Sequence, residues 1–147
     1  MRRKRDEKTR FAKRKQGIQL NGLHLIGDLY ECACERDLLV FAANPLKQVR
    51  SLCERSGLTV VGERAYEFEG GGYTLATLLA ESHVTLHTWP ELDRVAMDVY
   101  VCNHTQNNIE KARGLARELV ELFLSSRPVI KEIERGEIGE PHVTLLA

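Results

Sequence analysis

Two spacings organise the chain. Leu46, Val49, Leu52 and Cys53 recur at helical intervals behind Asn44-Pro45, and the stretch ends at Gly57. Asparagine is a good N-cap, proline is tolerated in a first turn, and glycine closes helices by taking a left-handed conformation. Ile109, Ala112, Leu115, Leu119 and Leu122 form the stripe of a longer amphipathic helix. Elsewhere the pattern is that of strands. Leu20–Tyr30 reads as the first, and Leu58–Val61 starts a second. Gly70-Gly71-Gly72 marks a turn. Tyr73–Ala80 is a continuous apolar run whose period does not separate helix from strand; its length and the preceding turn favour a buried strand. Val84 and Leu86 alternate with Thr85 and His87, Val95–Val101 is a further β-type segment, and Pro128 opens a final strand, Val129–Ile133. Two amphipathic helices interspersed among strands predict an α+β fold: a two-layer sandwich, with a mostly antiparallel sheet and helices packed on one face.

Length and composition fit one domain, with 147 residues, 43% apolar and 29% charged. No apolar stretch approaches the roughly 20 residues that span a bilayer, and the basic N-terminus has no apolar core behind it, so a cytoplasmic protein is expected. The net charge of zero conceals an asymmetry: residues 1–16 hold nine Lys or Arg against Asp6 and Glu7, a balance of +7 that the remainder cancels. Residues 1–18 are therefore expected to be a solvated, disordered tail and 19–147 the folded domain. Such a tail could touch RNA or anionic lipid, but it holds a single aromatic, Phe11, and so no stacking platform; a nucleic-acid partner is not expected. Cys32, Cys34, Cys53 and Cys102 make no disulfide framework in a chain without an export signal, and Cys32-x-Cys34 lacks zinc-ribbon spacing. No metal is expected, and Cys32, Cys34 and Cys53 are read as small apolar packing residues.

The chemistry concentrates in Glu81-Ser82-His83-Val84-Thr85-Leu86-His87-Thr88-Trp89-Pro90-Glu91, with Cys102 downstream. Serine, histidine and cysteine supply nucleophiles and proton carriers near neutral pH. Two histidines four apart suit a metal on a helix, whereas on a strand they stand roughly 13 Å apart. A serine-hydrolase elbow would want G-x-S-x-G, and no glycine flanks Ser82.

The segment E-S-H-x-x-x-H-T-x-P-E, together with Leu23-His24-Leu25, Leu29-Tyr30-Glu31-Cys32, Phe68-Glu69, Thr74, Met97-Asp98-Val99-Tyr100 and Cys102, resembles the small prokaryotic pyruvoyl-dependent S-adenosylmethionine decarboxylases over roughly residues 22–135. The resemblance implies a proenzyme. The Ser82 hydroxyl would attack the Glu81 carbonyl to give an ester, and β-elimination would release a chain ending at Glu81. Hydrolysis of the dehydroalanine left at position 82 would give a pyruvoyl cofactor and ammonia, so the domain would be split between 81 and 82. His87 would promote processing with help from Thr74. The pyruvoyl would form a Schiff base with S-adenosylmethionine and act as electron sink. Cys102 would be the proton donor, since a thiol's ordinary pKa of about 8.5 suits that task. Phe68 would stack on adenine, and Glu91 would bind ribose hydroxyls. The expected assembly is a homodimer of cleaved protomers with sites near the subunit interface, supplying the aminopropyl donor for spermidine synthesis.

The chain departs from the family pattern at Asn103, where glycine is usual, in its triple-glycine turn and in its basic tail. Those departures leave the cleavage chemistry intact but keep open a same-cofactor decarboxylase of arginine or ornithine; the alternative from another class is an uncleaved, non-catalytic regulatory or RNA-associated homologue that uses the tail. Parity adds a tension. Positions 82 and 87 differ by five, so an unbroken strand would point them to opposite faces unless it bends or bulges near Ser82, or the proton is relayed.

Overall fold

The computed structural model describes residues 22–136. The basic tail at 1–18 and the first positions of the expected initial strand lie outside the described residues.

Strand β1 (Gly22–Cys32) buries Leu23, Leu25 and Leu29 on one face and leaves His24, Ile26, Asp28 and Tyr30 on the other. Helix α1 (Asp37–Val40) has no counterpart in the sequence expectation; four residues are too short for a period, and buried Leu39 holds it. Helix α2 (Ala43–Arg55) follows and buries Pro45, Val49, Leu52 and Cys53. Asn44 is not its N-cap. The Ala42 N–H instead donates to the Glu67 carboxylate at 2.7 Å, so a side chain from strand β2 (Val60–Glu67) serves the helix terminus. Gly57, with φ +79°, follows the helix as expected.

The Gly70–Gly72 turn leads into β3 (Tyr73–Leu79). Gly72 has φ +90°, and a Cβ there would lie 3.0 Å from the Thr88 carbonyl oxygen, so the position requires glycine. Strand β4 (Ser82–Trp89), a short 3₁₀ turn (Pro90–Leu92) and β5 (Arg94–Cys102) complete the central hairpins. Helix α3 (Ile109–Leu122) buries Ala112, Leu115 and Leu119 as its stripe predicts. Strand β6 (Ser125–Arg135) is longer than the expected Val129–Ile133. It is an exposed edge strand whose length is set by backbone pairing with β1, from Gly22↔Arg135 to Cys32↔Ser125, and not by an apolar pattern. Pro128 is accommodated there because an edge strand has amides that need no partner.

The sheet runs β2-β3-β4-β5-β1-β6 with every neighbouring pair antiparallel. Leu25, Leu75, Leu86 and Met97 line one face against Leu52 and Leu115 of the helices, and this layer is the hydrophobic core. The architecture is therefore the expected α+β two-layer sandwich. Among the described residues nothing covers the other face, where Ile26, Tyr66, Leu78, Val129 and Ile133 are each at least 37% exposed. By strand alternation that open face also carries His24, Thr74, His83, His87, Asp98, Tyr100 and Cys102.

Candidate active site

Glu81 is the second residue of a two-residue turn, Ala80-Glu81, because Leu79 pairs directly with Ser82. Turns this tight prefer glycine or asparagine. This one has neither, and the residue after it, Ser82, takes φ +138°. A side chain in such backbone holds about 1–3 kcal/mol of strain. The Ser82 hydroxyl lies 3.4 Å from His83 Nδ1. The Glu81 carbonyl accepts the Cys102 N–H at 2.9 Å, so a main-chain donor is already aimed at that carbonyl oxygen.

The Glu81 side chain is held as well. Its Oε1 accepts the Thr105 N–H at 2.8 Å and the Thr105 hydroxyl, and its Oε2 accepts from Asn108 Nδ2. Burial pushes this carboxyl up, but the bonds from Thr105 and Asn108 and the charge of His104 outweigh it, and the net shift is downward. Next to this turn the open face is aromatic and polar. His24 meets Tyr100 at 5.4 Å between ring centroids and His83 meets Tyr100 at 5.7 Å. Asp98 holds His24 Nε2 at 2.9 Å and accepts from Thr85 at 3.3 Å. A hydrogen bond with Cys102 raises the Tyr100 phenol, burial adds to it, and Arg135 over the ring opposes both.

A second group lies at the far end of β4. Thr74 Oγ1 and His87 Nδ1 are 3.0 Å apart across the paired strands. They open onto a cavity of about 310 Å³ lined by Phe68, Thr74, His87, Trp89 and Glu91, a volume in the range of small-molecule sites. Phe68 is 48% exposed and stands edge-on to Tyr66 at 5.4 Å. Glu91 reaches the cavity from the 3₁₀ turn, and Arg94 sits over Trp89 at 4.9 Å. Buried Thr88 fixes the floor by accepting the Tyr73 N–H at 2.9 Å and donating to the Leu39 carbonyl at 2.8 Å.

The sequence-derived residues thus fall into two clusters. Glu81, Ser82 and Cys102 are together; Phe68, Thr74, His87 and Glu91 are together. Register runs unbroken from Ser82 to Trp89 against β5, so no bulge brings Ser82 to His87, and the irregularity anticipated near Ser82 is confined to its own φ. Five residues at about 3.3 Å each separate the two by roughly 16 Å. Sequence reasoning passed over His24, His83, Asp98 and Tyr100. The signal was available for the last two, since Asp98, Tyr100 and Cys102 share one face at period two.

The other cysteines pack as expected. Cys32 and Cys53 are buried, and burial pushes their thiols up to about 11 and about 12. Among the described residues no three His, Cys, Asp or Glu side chains gather as metal donors, and no helix is long and apolar enough to cross a membrane.

The sequence model of the S-adenosylmethionine decarboxylase family matches residues 23–136. The chain belongs to that family. The S-adenosylmethionine decarboxylase proenzyme of Methanococcus aeolicus is 35% identical over 119 residues, which cover 81% of this chain and 97% of that one. The proenzyme of Clostridium botulinum (strain Loch Maree / Type A3) is 29% identical over 121 residues, 82% of this chain and 99% of its own. The crystal structure of the adenosylmethionine decarboxylase of Aquifex aeolicus superposes with a TM-score of 0.71 at 28% identity, over 83% of this chain and 96% of that one. This S-adenosylmethionine decarboxylase homologue therefore shares both sequence and fold with those proteins over nearly their full lengths.

Proposed function

We propose that the chain is a self-processing S-adenosylmethionine decarboxylase, cleaved between Glu81 and Ser82, that supplies the aminopropyl donor for spermidine synthesis. Family membership supports the activity. The observation that supports the cleavage site is the junction itself: a strained Ser82 following a Glu81 whose carbonyl already accepts a hydrogen bond from Cys102.

In processing, Ser82 Oγ adds to the Glu81 carbonyl while the Cys102 N–H stabilises the oxyanion that forms. The peptide C–N bond then breaks to leave an ester. Removal of the Ser82 α-proton expels the Glu81 carboxylate, and water converts the remaining dehydroalanine to a pyruvoyl group and ammonia. That group would supply the electron sink for loss of CO₂. The residues fit it: position 82 is partly exposed at the end of the β3–β4 turn, with its hydroxyl 3.4 Å from His83 Nδ1, and Cys102 lies on the neighbouring strand. The Cys102 thiol would deliver the proton to the product carbon, with Tyr100 two residues before it on the same face of β5. A reducing compartment keeps that thiol available, so the reading places the protein in the cytoplasm.

The second cluster enters through a second copy. A homodimer with the two open faces packed together, on a two-fold axis running across the strands, sets the Ser82 end of one protomer against the His87 end of the other. Packed sheets stand about 10 Å apart, a gap that side chains from both faces fill. Each site would then combine Ser82 and Cys102 of one copy with Thr74 and His87 for processing, and Phe68 and Glu91 for adenine and ribose, of the other. The exposed Ile26, Leu78, Val129 and Ile133 support burial of this face.

Denaturing intact-mass analysis of the full chain tests the cleavage. Two chains are expected, split after Glu81, the second carrying a pyruvoyl in place of Ser82. CO₂ release from S-adenosylmethionine, and not from arginine or ornithine, is expected of the same preparation. One persistent chain, or turnover of the other substrates, would overturn the reading.

A further inference from the structure

The loop after β5 grips Glu81 more tightly than a turn residue requires. A carboxylate in an exposed hairpin turn is served by water, yet here it receives Thr105 N–H, Thr105 Oγ1 and Asn108 Nδ2. Asn108 is 1% exposed, and the same amide nitrogen donates to the Cys102 carbonyl at 2.9 Å. Asn108 stands at the N-terminus of α3, whose position is set by the burial of Ala112, Leu115 and Leu119. The loop is closed on itself by Asn103, one of this chain's departures from the family pattern, whose Oδ1 accepts the Asn108 N–H at 2.8 Å. Glu81 is therefore fixed twice, through its carbonyl by the Cys102 N–H and through its side chain by a packed helix terminus. The next residue is Ser82, at φ +138°. Strained backbone persists only where the surroundings over-determine it, and this double hold is the over-determination.

We propose that Thr105 and Asn108 are positioning residues for self-cleavage. By clamping the Glu81 side chain they prevent the Ala80-Glu81 turn from relaxing, and so hold the strained junction from which the Ser82 hydroxyl reaches the Glu81 carbonyl. The inference rests on the reading of bond 81–82 as the scissile bond.

The test follows cleavage with time, by denaturing mass analysis of freshly made full-length chain, in four proteins: wild type, Thr105→Val, Asn108→Asp, and Asn108→Asp combined with Glu81→Gln. Loss of the clamp should slow cleavage by about tenfold or more, the rate equivalent of strain of this kind. Thr105→Val removes one donor and keeps the side-chain shape. Asn108→Asp sets two carboxylates against each other and should be slower still. Glu81→Gln then restores a donor facing an acceptor and should recover part of the rate, a rescue that a general packing defect would not show. Melting temperatures of the same variants on a Ser82→Ala background, where no cleavage occurs, separate folding from positioning. If Asn108→Asp does not fold, Thr105→Val decides the matter. Variants that cleave as fast as wild type, or an Asn108→Asp defect that melting explains and Glu81→Gln does not rescue, would overturn the clamp. A wild type that stays one chain overturns the cleavage reading itself, so the two failures are distinguishable.

Discussion

A mixed-protomer experiment bears most directly on how the two residue clusters work together. Ser82→Ala removes the proposed nucleophile and His87→Ala removes the imidazole bonded to Thr74; in the proposed homodimer, each variant alone should remain uncleaved or nearly so. Within one protomer Ser82 and His87 are five residues apart on an unbroken strand, roughly 16 Å at about 3.3 Å per residue. Proton transfer needs heavy atoms within about 3 Å, or one bridging water. Direct proton transfer between the two within one chain is therefore out of reach by several times the required distance. In a mixed dimer of facing sheets, one site joins the intact Ser82 of the His87→Ala chain to the intact His87 of its partner. The other site has neither. Co-expression in equal amounts gives about half of the dimers mixed, so about half of the His87→Ala chains should be cut, and none of the Ser82→Ala chains. A mass tag on one variant and denaturing mass analysis reads this directly. Absence of cleavage in mixtures whose subunits demonstrably exchange would refute the composite site, as would cleavage of His87→Ala alone at the wild-type rate.

Other expectations follow from individual contacts. Cys102→Ala should still cleave, because its donor to the Glu81 carbonyl is main chain, while turnover falls by about 10²–10⁴-fold as a general acid is lost; unchanged turnover with the correct product would remove Cys102 from its role. Tyr73 is fully buried and donates its hydroxyl to the Leu38 carbonyl at 2.8 Å, so Tyr73→Phe should cost about 1–3 kcal/mol in urea unfolding. An unchanged unfolding midpoint would show that this bond does not hold α1 to the sheet. The Glu81 carboxyl is shifted below its ordinary value of 4.5. A carboxyl depressed in the folded state stabilises above its unfolded value and loses that contribution as pH falls through the folded one. On a Ser82→Ala background, the difference in melting temperature between Glu81 and Glu81→Gln should therefore be full at neutral pH and shrink only below about pH 4.5. A difference that does not change down to about pH 3 would contradict the assignment.

Much of the fold was legible because burial imposes a period. The α3 stripe, the alternation through β4 and the glycine turn each follow from one local rule, and each appears where that rule places it. Where an element owes its place to a distant partner, the local rules were silent or wrong. Asn44 has the right chemistry for a cap, but the helix terminus is served by Glu67, a residue 25 positions from Ala42. The extent of β6 is written in its pairing with β1 and not in its own exposed side chains.

The site divides in the same way. The string from Glu81 to Glu91 is specific enough by itself to name a family and a candidate bond, because side-chain chemistry is carried by residue type and order. Position in space is not. Only the sheet register shows that Ser82 and His87 stand at opposite ends of one strand, and that Phe68, Thr74, His87 and Glu91 share a cavity without Ser82. Only the packing of α3 brings Asn108 onto Glu81, 27 residues away in the chain. Sequence order determined which reactive groups this protein has; long-range pairing, which depends on closing loops between distant segments, decided which of them meet.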